Sequence, residues 1–127
     1  MITDLELYKR ASLAAEHAYA PYSNYHVGAA VLTTDGEIYE GANIENASYG
    51  ATICAERVAA TKAVYDGKSI AAIAVAISGL GEVPYPCGIC RQFLSEFGID
   101  MRVITGMDED HLESYALSEL LPKAFGN

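Results

Sequence analysis

Cysteine is scarce in this chain: three in 127 residues, an odd count that fits a disulfide framework badly and suits reduced thiols in a cytoplasmic protein. Basic side chains are scarce as well. Eight Lys and Arg stand against seventeen Asp and Glu, for a formal charge of −9. Such a surface repels phosphate backbones, which disfavours DNA and RNA as substrates or partners. Long hydrophobic runs are missing too. The longest, Ile70 to Ile77, falls far short of the ~20 residues a membrane helix needs, so no membrane partner is expected. The opening Met1-Ile2-Thr3-Asp4-Leu5-Glu6 has neither the basic start nor the apolar core of a signal peptide. What remains is ordinary globular composition, 51% hydrophobic and 20% charged, expected to form one domain over residues 1–127 with a core that needs no disulfides.

All three cysteines fall in two short runs, Thr52-Ile53-Cys54-Ala55-Glu56-Arg57 and Pro86-Cys87-Gly88-Ile89-Cys90-Arg91. A Cys-x-Glu followed 33 positions later by Pro-Cys-x-x-Cys resembles the three-thiolate signature of zinc deaminases that act on nucleobases. Three thiolates, from Cys54, Cys87 and Cys90, occupy three corners of a tetrahedron around Zn²⁺ and leave the fourth for water, the mark of a catalytic site. A closed structural site needs a fourth ligand. The only histidines, His17, His26 and His111, lack finger-like spacing to the cysteines. Glu56, two residues after a ligand, is placed to stay out of the coordination sphere and move protons. Three thiolates and one Zn²⁺ sum to −1, so positive charge is expected nearby: Arg57 and Arg91 each follow a site residue and are placed to donate to a thiolate. If Cys54 and Cys87 open helices, the positive helix ends add to this. Small buried hydrophobes or a disulfide pair are the plainer readings of these cysteines, but neither accounts for the accompanying Glu, Pro and Arg.

Thr3 or Asp4 is placed to cap a first helix whose expected stripe is Leu5, Tyr8, Ser12, Ala15 and Tyr19, closed by Pro21. Its many alanines allow a close approach to a sheet. A loop rich in turn formers and aromatics, Pro21 to His26, follows. Val27 to Thr33 and Glu37 to Glu40 read as a hairpin turning at Asp35-Gly36, and the small Gly28-Ala29-Ala30 predicts tight packing there by the central helix. That helix runs from Cys54 to Tyr65, with Gly67 beyond its end. Ile70 to Ile77 predicts a strand covered on both faces. Ser78 to Pro86, with two glycines and two prolines, predicts a loop that delivers the chain to the metal. A third helix carries Cys87 and Cys90 one turn apart. Met101 to Thr105 predicts a strand beside Ile70 to Ile77, parallel if the third helix is its crossover. Met107 to Asp110 predicts a solvated acidic turn, Leu112 to Leu117 an edge strand, and Ser118 the cap of a short helix. Phe125 is expected to be buried against something.

From Pro21-Tyr22-Ser23 through Gly41-Ala42-Asn43-Ile44-Glu45-Asn46-Ala47 and both cysteine runs to Glu119-Leu120-Leu121-Pro122, the chain resembles the small homo-oligomeric cytidine deaminases. The resemblance implies a three-layer α/β/α sandwich with a mixed sheet of about five strands. It implies Zn²⁺, one per subunit, and a small nucleoside with water as the reactants. It implies that Asn43 and Glu45 hold the ribose hydroxyls, that Tyr25 packs beside the pyrimidine, that backbone around Ala55 holds the ring, and that Tyr49 and Phe125 reach a neighbouring subunit's site in a homotetramer. Where relatives usually carry Phe and commonly Pro, this chain has Tyr25 and His26. The implied activity is hydrolytic deamination of cytidine, and of deoxycytidine, in pyrimidine salvage. Rival readings are a deaminase of another nucleoside, antibiotic or base, a silent zinc-binding scaffold, which leaves Glu56 unexplained, and an editor of nucleic acid, which the acidic charge disfavours.

Overall fold

Residues 1–79 and 81–126 are described by the structure, a computed structural model. Leu80, within the predicted delivery loop, and Asn127, at the end of the tail, lie outside the described residues. In chain order the elements are α1 (Asp4–Ala14), β1 (Val27–Thr33), β2 (Ile38–Ala42), α2 (Ala55–Tyr65), β3 (Ile70–Ile77), α3 (Gly88–Ser95), β4 (Arg102–Gly106), β5 (Leu112–Ala116) and α4 (Leu117–Leu120).

The five strands form one sheet in the order β2-β1-β3-β4-β5. Every pairing is antiparallel except β3 with β4, which is parallel and uses α3 as its crossover. Alternation along the strands then assigns the two faces. Ala29, Val31, Ile73 and Val103 pack with Ala55, Ala59 and Ala63 of α2 and Leu94 of α3. On the opposite face Ala30, Ala72, Ala74 and Ala76 pack with Leu7, Tyr8 and Ala11 of α1. The result is the mixed five-stranded α/β/α arrangement implied by the sequence.

Glycine sets two of the close approaches. A Cβ on Gly28 would stand 2.0 Å from the Ala11 carbonyl oxygen, and one on Gly41 would stand 2.4 Å from the Ala59 nitrogen. The expectation for Gly28 to Ala30 holds at Ala29, which packs with α2, and is corrected at Gly28 and Ala30, which face α1, because alternate residues of β1 face opposite layers. Gly41, in β2, is the residue that lets α2 come close.

Two further expectations shift. Thr3 caps α1, accepting from the Glu6 N–H at 3.1 Å, but the helix ends at Ala14 and gives way to a 3₁₀ turn over Ala15–His17. Tyr19 is bonded into a short ladder instead, donating to Asn43 O at 2.9 Å and accepting from Glu45 N–H at 2.8 Å. The buried stripe is therefore Leu7, Tyr8, Ala11, Ala14 and Ala15, and Leu5 and Tyr19 are exposed. At the other end, α4 is capped by Ala116, not Ser118, with the Glu119 carboxylate accepting the Ala116 N–H at 2.8 Å.

Candidate active site

Cys54 is the N-cap of α2 and Cys87 the N-cap of α3. Both helices thus begin at one point, and their unpaired first-turn N–H groups bring positive potential to the sulfurs. The Cys90 N–H donates to Cys87 Sγ at 3.4 Å. All three thiols are free, which removes the disulfide reading. Their sulfurs lie within 4.8 Å of one another, with Cys90 buried beneath the other two. Two sulfurs holding zinc at ~2.3 Å in a tetrahedron stand roughly 3.8 Å apart, and Cys54 Sγ and Cys87 Sγ are 3.7 Å apart. The donor set therefore fits zinc. Hydrogen bonding from Cys90, and then Arg57, lowers Cys54 to about 5 against the opposing effect of burial, while the same contact pushes Cys90 upward.

Arg57 Nη2 lies 3.7 Å from Cys54 Sγ and 3.4 Å from Thr52 O. Arg91 is placed differently. Its Nε donates to Pro86 O at 2.7 Å and its Nη1 to Leu120 O at 2.8 Å. It therefore ties the ligand loop to the end of α4, and the expected thiolate contact is replaced by two carbonyls that need donors.

Glu56 sits in the first turn of α2, only 4% exposed. Burial pushes its carboxyl up to about 7, with the Cys54 charge adding to the rise. Its side chain, Cys54 and Cys87 open into a cavity of about 180 Å³ whose other walls include Tyr25, Asn43, Ala55 and Tyr85. Tyr25 carries a phenol raised first by burial and then by the Glu82 and Glu56 carboxylates.

Asn43 turns its amide to the rim: Nδ2 donates to Tyr25 O at 2.8 Å and Oδ1 accepts the Val27 N–H at 2.9 Å. Glu45 is drawn into the same loop, accepting the N–H groups of Tyr22 and Ser23 at 3.0 and 3.1 Å and the Ser23 hydroxyl. It lines an adjoining cavity with Tyr22 and Tyr49. Asn43-Ile44-Glu45 is held next to Cys54 because Ile44 and Ile53 exchange backbone hydrogen bonds, both at 2.9 Å. Tyr49 and Phe125 are 74% and 85% exposed, away from this chain's own cavity wall. The tail contact of Phe125 is its carbonyl, which accepts from Gln92 Nε2 at 3.3 Å. Tyr85 and Thr52 also line the cavity and were not read as site residues from the sequence, though each lies two positions before a cysteine, Cys87 and Cys54, which is the signal that marks them.

Residues 1–107 match the family model described as the cytidine and deoxycytidylate deaminase zinc-binding region. A cytidine deaminase of Halalkalibacterium halodurans is 49% identical over 121 residues, which are 94% of this chain and 91% of that protein. Among solved structures, the cytidine deaminase of Burkholderia pseudomallei superposes with a TM-score of 0.90 at 42% identity, covering 98% of this chain and 100% of that one. That of Mycobacterium tuberculosis gives 0.87 at 37% identity, with 100% of both chains covered.

Proposed function

This chain belongs to the cytidine and deoxycytidylate deaminase family, and from that premise we propose how its own residues carry the family's reaction. It is a zinc-dependent hydrolase that converts cytidine and water to uridine and ammonia. Deoxycytidine is read as a second substrate. The observation that carries the reading is the buried Glu56 carboxyl opening into the same cavity as two of three converging cysteines.

Cys54, Cys87 and Cys90 hold the zinc, which when bound supplies the Lewis acidity that makes a water easy to deprotonate near neutral pH. Glu56 would take one proton from the attacking water as its oxygen adds to C4 of the base and pass it to N3; it would then carry the proton of the new C4 hydroxyl to the amine, so that the C4–N bond breaks, the C4 carbonyl forms and ammonia leaves. Burial raises the Glu56 carboxyl, which favours its taking up a proton and so suits a shuttle. Arg57 offsets the charge of the thiolates. Tyr25 and Tyr85 give flat and apolar walls for the base, and backbone at Ala55 holds its edge.

Asn43 retains a second amide hydrogen for a ribose hydroxyl, and Glu45 lies next to it along the same segment. The walls named above contain carboxylate and no cation, which suits an uncharged nucleoside better than a phosphorylated one. Exposed Tyr49 and Phe125 support a homotetramer in which each reaches a neighbour's cavity. Residues 1–127 act as one catalytic domain, and free thiols support a cytoplasmic role in pyrimidine salvage. Among the described residues no helix is long and apolar enough to cross a membrane.

The test is the ultraviolet absorbance change on adding cytidine to zinc-loaded protein, with chelator-stripped protein as the comparison. Conversion only by the loaded form supports the assignment. A folded, zinc-loaded protein that leaves cytidine unchanged contradicts it.

A further inference from the structure

Pro84, Tyr85, Pro86 and Cys87 link β3 to α3 and meet the metal-binding cavity through Pro84, Tyr85 and Cys87. Two of these four residues are prolines, so the stretch has few N–H groups with which to fasten itself to the sheet. Its carbonyls and side chains must be held by donors and acceptors from other elements. The structure supplies three such ties. Arg91 Nε donates to Pro86 O at 2.7 Å. Thr105 Oγ1 stands 3.1 Å from Pro84 O and 3.2 Å from Val75 O. The Tyr85 hydroxyl donates to Glu113 Oε1 at 2.6 Å.

Thr105 and Glu113 both belong to the far side of the sheet, in β4 and β5. The parallel pairing of β3 with β4 runs only as far as Ala74 and Ile104. One residue further on, Thr105 is 0% exposed and lies at the fork where the two strands part. Its hydroxyl faces two carbonyls there, Val75 O of β3 and Pro84 O of the stretch that follows it, and so ties both to β4. The carboxyl ends of parallel strands are where an open α/β sheet places its ligand crevice, so a donor at this fork sits beneath the site floor. Glu113 acts from the rim. It accepts the hydroxyls of Tyr85 and Tyr115 on one oxygen, and the two rings meet edge to face with centroids 6.2 Å apart. Neither Thr105 nor Glu113 lines the cavity.

We infer that Thr105 and Glu113 are positioning residues for the deamination: they fix the Pro84–Cys87 stretch to β4 and β5, and through it set where the Cys87 sulfur and the Tyr85 ring stand. The inference rests on the reading above, in which Cys87 is a zinc ligand and the cavity takes the nucleoside. Thr105 governs the metal through Pro84 and Cys87. Glu113 governs the substrate through Tyr85.

The experiment compares wild type with Thr105→Val, Thr105→Ser, Glu113→Ala, Tyr85→Phe and the Glu113→Ala/Tyr85→Phe double variant. Zinc affinity is read by competition with a chromogenic chelator, and kcat and KM for cytidine are read separately. Removing a group that orients a metal ligand typically costs about 10- to 100-fold in affinity, so Thr105→Val is expected to bind zinc at least about tenfold more weakly, with Thr105→Ser restoring wild-type affinity. Glu113→Ala and Tyr85→Phe are each expected to raise KM by roughly two- to tenfold, the worth of one hydrogen bond, with kcat changed less and the double variant no worse than the worse single one. Should Thr105→Val not fold, the Glu113 and Tyr85 set decides. Unchanged zinc affinity and KM in these variants, beside an active wild type, overturns the inference even if melting temperatures fall. An inactive zinc-loaded wild type overturns the proposed function instead, which keeps the two failures apart.

Discussion

Arg57 Nη2 stands 3.7 Å from Cys54 Sγ, in the first turn of the helix whose N-cap position Cys54 occupies. The guanidinium thus brings a permanent positive charge to a thiolate set that, with zinc, carries a net negative one. Among the described residues its buried Nε has no partner, and the contacts of the group are Cys54 Sγ and Thr52 O.

The first prediction follows from this contact. Arg57→Gln keeps much of the side-chain volume and removes the charge, and it should weaken zinc binding by about 10- to 100-fold. Chelator competition measures it. Equal affinity in the variant would mean that the arginine is only packing.

A second prediction concerns Gly41, where a Cβ would meet Ala59 N at 2.4 Å and Ala55 O at 2.8 Å, both backbone atoms of α2. Gly41→Ala therefore has to push away the helix that carries Glu56. A cost of about 1 to 3 kcal/mol is expected for such overpacking, together with a lower kcat because the shuttle moves with the helix. Thermal denaturation and steady-state kinetics check the two parts, and a variant equal to wild type in both would contradict the packing described.

The acidic turn gives a pH-dependent prediction. His111 Nδ1 lies 2.7 Å from Asp108 Oδ1, and this hydrogen bond raises the His111 pKa while it lowers that of Asp108. The raised imidazole contributes stability that is fully present below its unfolded value near 6.5 and fades as pH rises through the folded value. The lowered carboxylate contributes above its unfolded value and fades as pH falls. A nuclear magnetic resonance titration should place His111 above 6.5 and return it toward 6.5 in Asp108→Asn. Identical titrations would remove the pairing.

Phe125 is 85% exposed on the single chain. Deleting residues 123–127 is expected to leave the fold intact and to lower kcat/KM, because the ring that a neighbouring subunit would use is gone. Circular dichroism with an activity assay tests this. Equal turnover by the truncated protein would show that the ring takes no part.

Much of this was legible in the sequence because the informative signals are local. β1 and β3 match their predicted bounds since apolar runs between turn residues specify strands directly. The clustering of Cys54, Cys87 and Cys90 beside Glu56 was legible because metal chemistry dictates residue type and spacing. What was hidden depends on partners far along the chain. The early end of α1 follows from the backbone pairing of Tyr19 with Asn43 and Glu45. The true neighbour of Gly28 follows from which face of β1 it occupies. Arg91 turns to the carbonyls of Pro86 and Leu120, the latter 29 residues away, and Thr105 reaches Pro84 across 21 residues.

The central claim is that Glu56 moves the protons of a zinc-dependent deamination. The direct measurement is the rate of cytidine loss by ultraviolet absorbance for wild type and Glu56→Gln, with zinc content and folding verified in both. Loss of a proton shuttle is expected to lower kcat by about 10²- to 10⁴-fold while zinc remains bound, since Glu56 is not one of the three sulfur donors. A zinc-loaded Glu56→Gln that deaminates cytidine at the wild-type rate would contradict the account.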